Sequence, residues 1–201
     1  MTNFRNETQG PILYRNSTDK RVKQTSAKLF DSIGHLLESK KFDDIGIKEI
    51  SALAGIGRAT FYRNFDYVED VLKLRLDEEF IALSTQVEPS RHNSLVNLEP
   101  FFAFWINNSE ILQILIKADK WSIFTSKFNA EAQGPIIELS MHIKHDPRFD
   151  EYLHTILSGI ITSTLQTWVA RGMQETSQEL CQMIDLPFKI YSTNSPVMAK
   201  Q

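Results

Sequence analysis

Apolar residues recur at helical spacing through most of the chain. The first such segment begins after the helix-capping residues at 17–19, and its apolar stripe consists of Val22, Leu29, Phe30, Ile33, Leu36 and Leu37. From residue 95 onward the same spacing continues, with breaks at Gly134-Pro135 and Asp146-Pro147, because proline disrupts a helix interior. A last helix is expected from Ser177 to about Ile184. No segment alternates apolar and polar residues as a strand would. The pattern therefore predicts an all-α fold.

Two short helical patterns flank a tight turn in the segment Ile47–Phe65. The apolar positions of the first pattern are Ile47, Ile50 and Leu53. Gly55 follows the expected end of this helix, where glycine adopts left-handed backbone angles at little cost. Two short helices joined by a glycine-containing turn are typical of a helix-turn-helix, which places its second helix in the major groove of DNA.

The second helix of this segment is expected over residues 57–63, with Phe61 and Phe65 on its buried face. The residues left on its other faces are Arg58, Ala59, Thr60, Tyr62 and Arg63. Arginine pairs with guanine edges or phosphate, hydroxyls suit phosphate oxygens, and alanine permits close approach. Lys48, on the first helix, is a further candidate phosphate partner. The alternative is two core helices joined by a short turn, and periodicity alone fits both equally.

The charge distribution favours the DNA-binding alternative. Residues 1–65 contain 11 Lys and Arg against 7 Asp and Glu, a balance of +4, and residues 66–201 contain 11 against 18, a balance of −7; together they give the net charge of −3. A basic N-terminal third on an acidic body is typical of a local nucleic-acid surface.

Composition and motifs exclude several other classes. A single cysteine, Cys181, excludes an internal disulfide framework and fits a reducing cytoplasm. We see no secretory signal and no apolar run of membrane-spanning length, so we expect a cytoplasmic protein with no membrane partner. No nucleophile elbow, phosphate loop, dinucleotide fingerprint or zinc motif appears. His142 and His145 alone do not make a metal site. We therefore expect no enzymatic activity, no cofactor and no metal.

The region from about Lys20 to Leu76 resembles the N-terminal domain of the TetR family of bacterial transcriptional regulators. The resemblance rests on the segments KKFDDIGIKEI, ALAGI, RATFYRNF and EDVL in that order. It implies a three-helix helix-turn-helix DNA-binding domain at 17–65 and a helical ligand-binding and dimerisation domain at 66–201. Residues 1–16 show no helical pattern and contain Gly10-Pro11, so we expect them to form a flexible N-terminal arm. The resemblance also implies a homodimer that binds a pseudo-palindromic double-stranded DNA operator, responds to a small-molecule effector and acts as a repressor.

Three residues depart from the family pattern. Gly46 and Gly57 replace the usual Thr or Ser at the two helix starts of the motif, and Val68 replaces the usual Lys in the segment after it. Valine cannot take over a lysine contact to phosphate. These departures leave open an alternative: a TetR-fold protein-interaction module or co-regulator with weak or no specific DNA binding. Asp66 and Glu69 are expected to form a capping box for the helix that follows.

The family resemblance also assigns roles to the helical body. The expected ligand pocket is lined by Phe101, Phe104, Trp105, Trp121, Phe124 and Phe128. The alternative is that these aromatics fill the core. The expected dimer interface lies on the last two long helices, residues 149–184, with Ile156, Gly159, Ile160, Ser163, Thr167 and Trp168. Burial within the monomer is the competing explanation for these residues.

Overall fold

Nine α-helices and two short 3-10 turns make up the described part of the chain, residues 20–87, 98–131 and 147–194, in a computed structural model. These residues contain no strand, so the predicted all-α fold is confirmed. The predicted flexible arm, residues 1–16, lies outside the described residues.

The helices follow one another in simple succession. The first four are α1 (Lys20–Leu36), α2 (Ile47–Leu53), α3 (Arg58–Asn64) and α4 (Val68–Gln86). The remaining five are α5 (Glu99–Asn107), α6 (Glu110–Lys117), α7 (Trp121–Glu131), α8 (Asp150–Ala170) and α9 (Ser177–Asn194). The 3-10 turns are Phe42–Asp44 and Pro147–Phe149. The expected end of the last helix near Ile184 was wrong: α9 continues through Pro187, a residue that usually interrupts helices.

The chain forms two compact units. The first comprises the described residues up to Ala82 together with Gln113–Ile123, and the second comprises Leu83–Leu112 with the described residues from Phe124 onward. The boundaries between these units fall after Ala82, Leu112 and Ile123. The functional boundary that we expected lies elsewhere, between residues 65 and 66. The division of labour between a DNA-binding and a regulatory domain therefore stays a prediction.

The core of the first unit is built from the apolar stripes of its helices. On the first four helices and at the residue after α3, the apolar side chains with no more than 2% of their surface exposed are Leu29, Phe30, Ile33, Ile50, Phe61, Phe65, Val71, Leu72 and Leu76. Each such burial contributes about 1.5–3 kcal/mol relative to an exposed side chain. These residues come from all four helices and from Phe65, which follows α3. Their packing therefore fixes the short helix α3 against α1, α2 and α4.

Residues 113–123 belong to the same core although they are distant in sequence. Ile114, Leu115 and Ala118 are buried, and a methyl group built on Gly34 of α1 would lie 3.3 Å from the Ile114 side chain. Lys117 pairs with Glu38. The Lys120 ammonium lies 3.1 Å from the Asp43 carboxylate and 5.3 Å from the centre of the Phe42 ring. Apolar packing and two ion pairs thus fasten this segment to α1 and the first 3-10 turn.

The turn between α2 and α3 is closed by its backbone. Gly55 has a φ of 67°, and the Ile56 N–H donates to the Ser51 carbonyl at 2.9 Å, while the Gly55 N–H donates to Ala52 at 3.2 Å. This pair of hydrogen bonds is the Schellman motif, and it requires left-handed angles at the glycine. The turn therefore ends α2 and sets the direction in which α3 begins.

The helix that follows α3 is capped one residue later than we expected. The Asp70 carboxylate accepts hydrogen bonds from the backbone N–H groups of Asp66 and Tyr67, at 3.1 and 2.9 Å. The expected capping pair of Asp66 and Glu69 was wrong, since Glu69 instead pairs with Lys73 at 3.0 Å. In the observed cap, as in the expected one, an acidic side chain three residues after the capping residue accepts from free backbone N–H groups at the helix start.

In the second unit, the turn between α8 and α9 is fixed by several hydrogen bonds. Gly172 has a φ of 89° and closes a second Schellman motif, with the Met173 N–H donating to the Trp168 carbonyl at 2.9 Å. Thr176 and Glu179 form a capping box at the start of α9. The backbone N–H and hydroxyl of Thr176 that donate to Glu179 hold the pKa of that carboxyl below its usual range.

Gly55→Ala should lower the free energy of unfolding by about 1–2 kcal/mol, the cost of left-handed angles for a residue with a Cβ. A Cβ on Gly55 would meet no atom within 4 Å, so this cost is one of backbone conformation and not of a clash. Gly55→Asn is the matched control and should lose less, because asparagine tolerates these angles. Urea unfolding followed by circular dichroism measures both, and equal losses would contradict the explanation.

Candidate nucleic-acid interface

Helix α3 has one face in the core and one in solvent. Phe61 is completely buried and Phe65 is 2% exposed, and their ring centres lie 5.5 Å apart. These two aromatic side chains are the inward positions that the sequence pattern predicted. Phe61 lies near the middle of this seven-residue helix and Phe65 is its C-cap, so the two rings anchor α3 to the core.

The outward face carries the residues proposed to contact DNA. Those exposed to solvent are Arg58, Ala59, Tyr62 and Arg63, together with Lys48 on α2. The Tyr62 side chain is 58% exposed, and the edge of its ring meets the Phe61 ring with centres 5.8 Å apart. Thr60 is half-buried, so its side chain is less accessible to DNA than the exposed side chains of its neighbours. The structure thus presents most of the predicted set on one surface of the helix-turn-helix.

The cations of this surface form no ion pair with any described residue. These cations are Arg58, Arg63 and Lys48. Three cations elsewhere on the first unit likewise form no ion pair with a described residue: Lys23, Lys28 and Lys41. Other cations of the same unit are paired with carboxylates: Lys40, Lys73, Arg75, Lys117 and Lys120. An unpaired exposed guanidinium keeps all its donors available for phosphate or base edges.

The surface is also poor in acceptor side chains. No Asp or Glu occurs between Ile50 and Phe65. The nearest acid on the N-terminal side, Glu49, is held by Lys40, whose ammonium lies 2.7 and 2.9 Å from its two oxygens. The Asn64 side chain donates to the Thr60 carbonyl of its own helix at 2.8 Å. The outward face of α3 therefore offers mainly donors and carbon surface.

The three departures from the family pattern differ in their structural settings. Gly46 and Gly57 are the N-caps of α2 and α3, both with extended backbone and no side-chain capping hydrogen bond, and a Cβ on either would meet nothing within 4 Å. Val68, in contrast, is 9% exposed and belongs to the core. Tyr67, the residue before it, is 71% exposed. Position 68 is thus used for packing, and the exposed side chains just before it are the Tyr67 phenol and the Asp66 carboxylate.

The aromatic side chains proposed for a ligand pocket are largely packed against one another. Trp105 and Phe124 are completely buried with ring centres 5.2 Å apart, and Phe124 stacks on Phe128 at 6.2 Å. Phe101 and Phe104 each meet the Trp105 ring edge-on. Trp121 is half-buried and falls in the first compact unit. This packing agrees with the core alternative, and the ligand pocket stays a prediction.

Helix α8 separates its residues into two faces. The inward face consists of Ser158, Ile161, Thr162, Leu165 and Trp168. Of the residues proposed for the dimer interface, Ile156 is 56% exposed, Gly159, Ser163 and Thr167 are exposed, and Ile160 is half-buried. Trp168 is only 3% exposed, and its ring N–H donates to the Glu175 carbonyl at 3.1 Å. Five of the six proposed residues therefore lie on the outward face, and Trp168 packs inside the unit.

A groove of about 590 Å³ runs along this outward face between α8 and α9. Its lining includes Ser163, Thr167, Leu180 and Met183. The large apolar side chains exposed by half or more on these two helices or just before them are Phe149, Tyr152, Ile156, Met183 and Leu186. A concentration of exposed apolar side chains marks an interaction surface.

Other chemistry in the described part of the chain is limited. No group of three or more His, Cys, Asp or Glu residues there is arranged to hold a metal ion, and His142 and His145 lie outside the described residues. Burial raises the pKa of the Cys181 thiol, and the carboxylates of Glu99 and Asp185 raise it further, so the reactive thiolate is disfavoured. None of the described helices is both long and apolar enough to cross a membrane.

Comparison with known proteins relates the chain to a transcriptional regulator. The chain is 22% identical over 153 residues to an uncharacterized HTH-type transcriptional regulator of Haemophilus influenzae, and the match covers 71% of this chain and 75% of that protein. No family model matches the chain.

Phe61→Ala and Tyr62→Ala test the two faces of α3 with adjacent residues. Phe61→Ala should cost about 3–5 kcal/mol of stability, because it removes a fully buried ring. Tyr62→Ala should cost about 1 kcal/mol, since it loses chiefly an edge-to-face contact with Phe61. Thermal unfolding measures both, and a Tyr62→Ala loss as large as that of Phe61→Ala would contradict the assignment of faces.

Proposed function

We propose that this chain is a DNA-binding transcriptional regulator that acts in the cytoplasm as a homodimeric, ligand-responsive repressor. The observation that carries the proposal is the outward face of α3, where two unpaired arginines and an exposed tyrosine stand on a helix anchored by Phe61 and Phe65. The similarity to an HTH-type transcriptional regulator of Haemophilus influenzae supports the DNA-binding regulator. The homodimer, the repression and the ligand response are proposed beyond that similarity.

In this proposal α3 enters the major groove and α2 lies across the DNA backbone. Arg58, Tyr62 and Arg63 make the main DNA contacts, Ala59 allows the helix to approach the bases, and Lys48 contacts a phosphate. Thr60 contributes less because it is half-buried. A surface without carboxylates avoids repulsion by the phosphates, which supply most of the attraction in such complexes.

A homodimer is the form in which this surface can recognise a pseudo-palindrome. Two copies of α3 related by a two-fold axis read half-sites one helical turn of DNA apart, or a multiple of it. The outward face of α8 and the groove it forms with α9 support a dimer contact there. Small residues at Gly159 and Ser163, four positions apart, allow two helices to approach closely.

Ligand response requires that an effector bind one shape of the dimer more tightly than another. Three helices provide a covalent path for such a response, because each contains a boundary between the two compact units: α4 after Ala82, α6 after Leu112 and α7 after Ile123. The aromatic cluster around Trp105 is the candidate effector site, and we infer that an effector would have to displace rings that now contact one another.

A second candidate function is a protein-interaction module with weak or no specific DNA binding. The observation that favours it is the burial of Val68, which removes a cation from the segment after α3. The two N-cap glycines likewise lack hydroxyls for phosphate oxygens. The exposed Tyr67 hydroxyl and the unpaired Lys48 are the groups that would compensate in a DNA-binding protein.

Titration of the purified protein against its own upstream DNA distinguishes the two functions. A regulator should bind specifically, with an affinity that falls steeply as salt rises, because bound phosphates release counterions. Arg58→Ala combined with Tyr62→Ala should weaken specific binding by about 100-fold or more. Lys127→Ala, which removes a cation from the second compact unit, is the control and should bind normally.

Fluorescence anisotropy at two salt concentrations provides these measurements, and circular dichroism checks that both variants are folded. Binding that is weak and indifferent to sequence would contradict the proposed regulator. Wild-type affinity in the double variant would contradict the assignment of the site.

A charge placed in the groove between α8 and α9 tests the dimer. Ser163→Glu should shift the protein from dimer to monomer, since a carboxylate in a closely packed interface loses its hydration without gaining a partner. Gln182→Glu adds the same charge at an exposed position of α9 outside the groove lining and should leave the dimer intact. Sedimentation velocity reports the masses, and a Ser163→Glu dimer of unchanged stability would place the interface elsewhere.

A further inference from the structure

We propose that α3 reads its operator through guanine and through the methyl group of thymine, and that it does not read adenine in the major groove. This inference rests on the proposed function and concerns which base edges the same surface selects. It follows from the chemical groups that the outward face of α3 offers and from those it lacks.

Each base presents different groups in the major groove. Guanine shows two acceptors, which suit the paired donors of arginine, and thymine shows a methyl group, which suits carbon surface. Adenine and cytosine show an amino group, which requires an acceptor on the protein, supplied in the usual pairings by Asn or Gln for adenine and by Asp or Glu for cytosine.

The carboxylates and free amides that usually read adenine and cytosine are missing from the exposed part of α3. The helix contains no Asp, Glu or Gln. Its one amide side chain, Asn64, is half-buried and its nitrogen donates to the Thr60 carbonyl within α3, so it does not present the free donor–acceptor pair that adenine takes. Glu49, on the preceding helix, is bound by Lys40 through both oxygens. The Tyr62 hydroxyl is the remaining side-chain acceptor on the exposed part of α3, since Thr60 is half-buried.

The positions along α3 divide the roles of the two arginines. Arg58 is the first residue of the helix, and the N-terminal residues of a recognition helix are the ones that contact base edges. Its guanidinium is unpaired, and Gly57 before it has no side chain to hold the backbone away from the DNA. Arg63 lies near the other end of the helix and is assigned to phosphate.

The carbon surface lies beside the guanine reader. Ala59 is exposed directly after Arg58, and Tyr62 lies three residues further, on the neighbouring turn of the same face. A methyl group and an aromatic ring so placed form an apolar patch suited to a thymine methyl. The proposed reading of a half-site is therefore a guanine next to, or close to, a thymine.

The test begins with selection of binding sequences from a pool of randomised double-stranded DNA by the full chain. Single bases of the selected half-site are then replaced, one at a time, by analogues. 7-Deazaguanine and 7-deazaadenine remove the N7 acceptor of each purine, and uracil removes the thymine methyl. The usual bidentate contacts to guanine and to adenine both include N7, so each deaza analogue weakens the contact to its own base. These groups lie in the major groove, so any contact from residues 1–16 to the minor groove leaves the result unchanged.

We expect 7-deazaguanine to weaken binding roughly 3- to 10-fold at one position, which is about half of the discrimination of a bidentate contact. Uracil should weaken it about 3- to 5-fold at a thymine, the effect of one buried methyl group. 7-Deazaadenine should change binding less than about 2-fold at every position. In Arg58→Ala the effect of 7-deazaguanine should disappear, while in Arg63→Ala it should remain.

The outcomes separate this inference from the function on which it rests. If the pool yields no preferred sequence, the proposed function fails. If a preferred sequence is obtained and 7-deazaadenine weakens binding as much as 7-deazaguanine does, the inference is overturned and the regulator stands. A 7-deazaguanine effect that persists in Arg58→Ala would likewise overturn the assignment to that arginine.

Discussion

The burial of Phe61 and Phe65 is the interaction on which the arrangement of the first compact unit depends. A helix of seven residues is too short to be stable alone, so α3 exists because its two aromatic side chains enter a core made by the longer helices. The Schellman turn at Gly55 sets where α3 begins. With its inner face fixed in this way, the positions of the outer side chains follow from helical geometry.

The outer face of α3 stays positively charged because nearby carboxylates interact with other groups. Lys40 holds Glu49, and Asp70 is used at the start of α4, so these two acids beside the helix-turn-helix are engaged in structure, whereas the Asp66 side chain is exposed. The cations of α3 remain without such partners among the described residues. Local charge pairing, more than the total charge of −3, determines that this surface suits an anionic partner.

The sequence predicts the helix-turn-helix well because its signals are local. Apolar spacing identified the buried Phe61, and the glycine after α2 identified the turn. Predictions that depend on distant packing were less complete: no local signal shows that Trp168 turns inward while Ser163 and Thr167 of the same helix stay exposed. The cap of α4 was misplaced by one residue because Asp66, Glu69 and Asp70 are all plausible capping acids, and only the geometry of the turn selects Asp70.

The inclusion of residues 113–123 in the first unit has a consequence for how this protein can be divided. A fragment that ends near Ala82 would lack Ile114, so the surface of α1 around Gly34 would be open to water. Glu38 and Asp43 would also lose their partners Lys117 and Lys120. The helix-turn-helix is therefore not a transplantable module in this chain. A hybrid regulator that contains this helix-turn-helix must also contain residues 113–123. Substitutions in either segment are therefore constrained by the other.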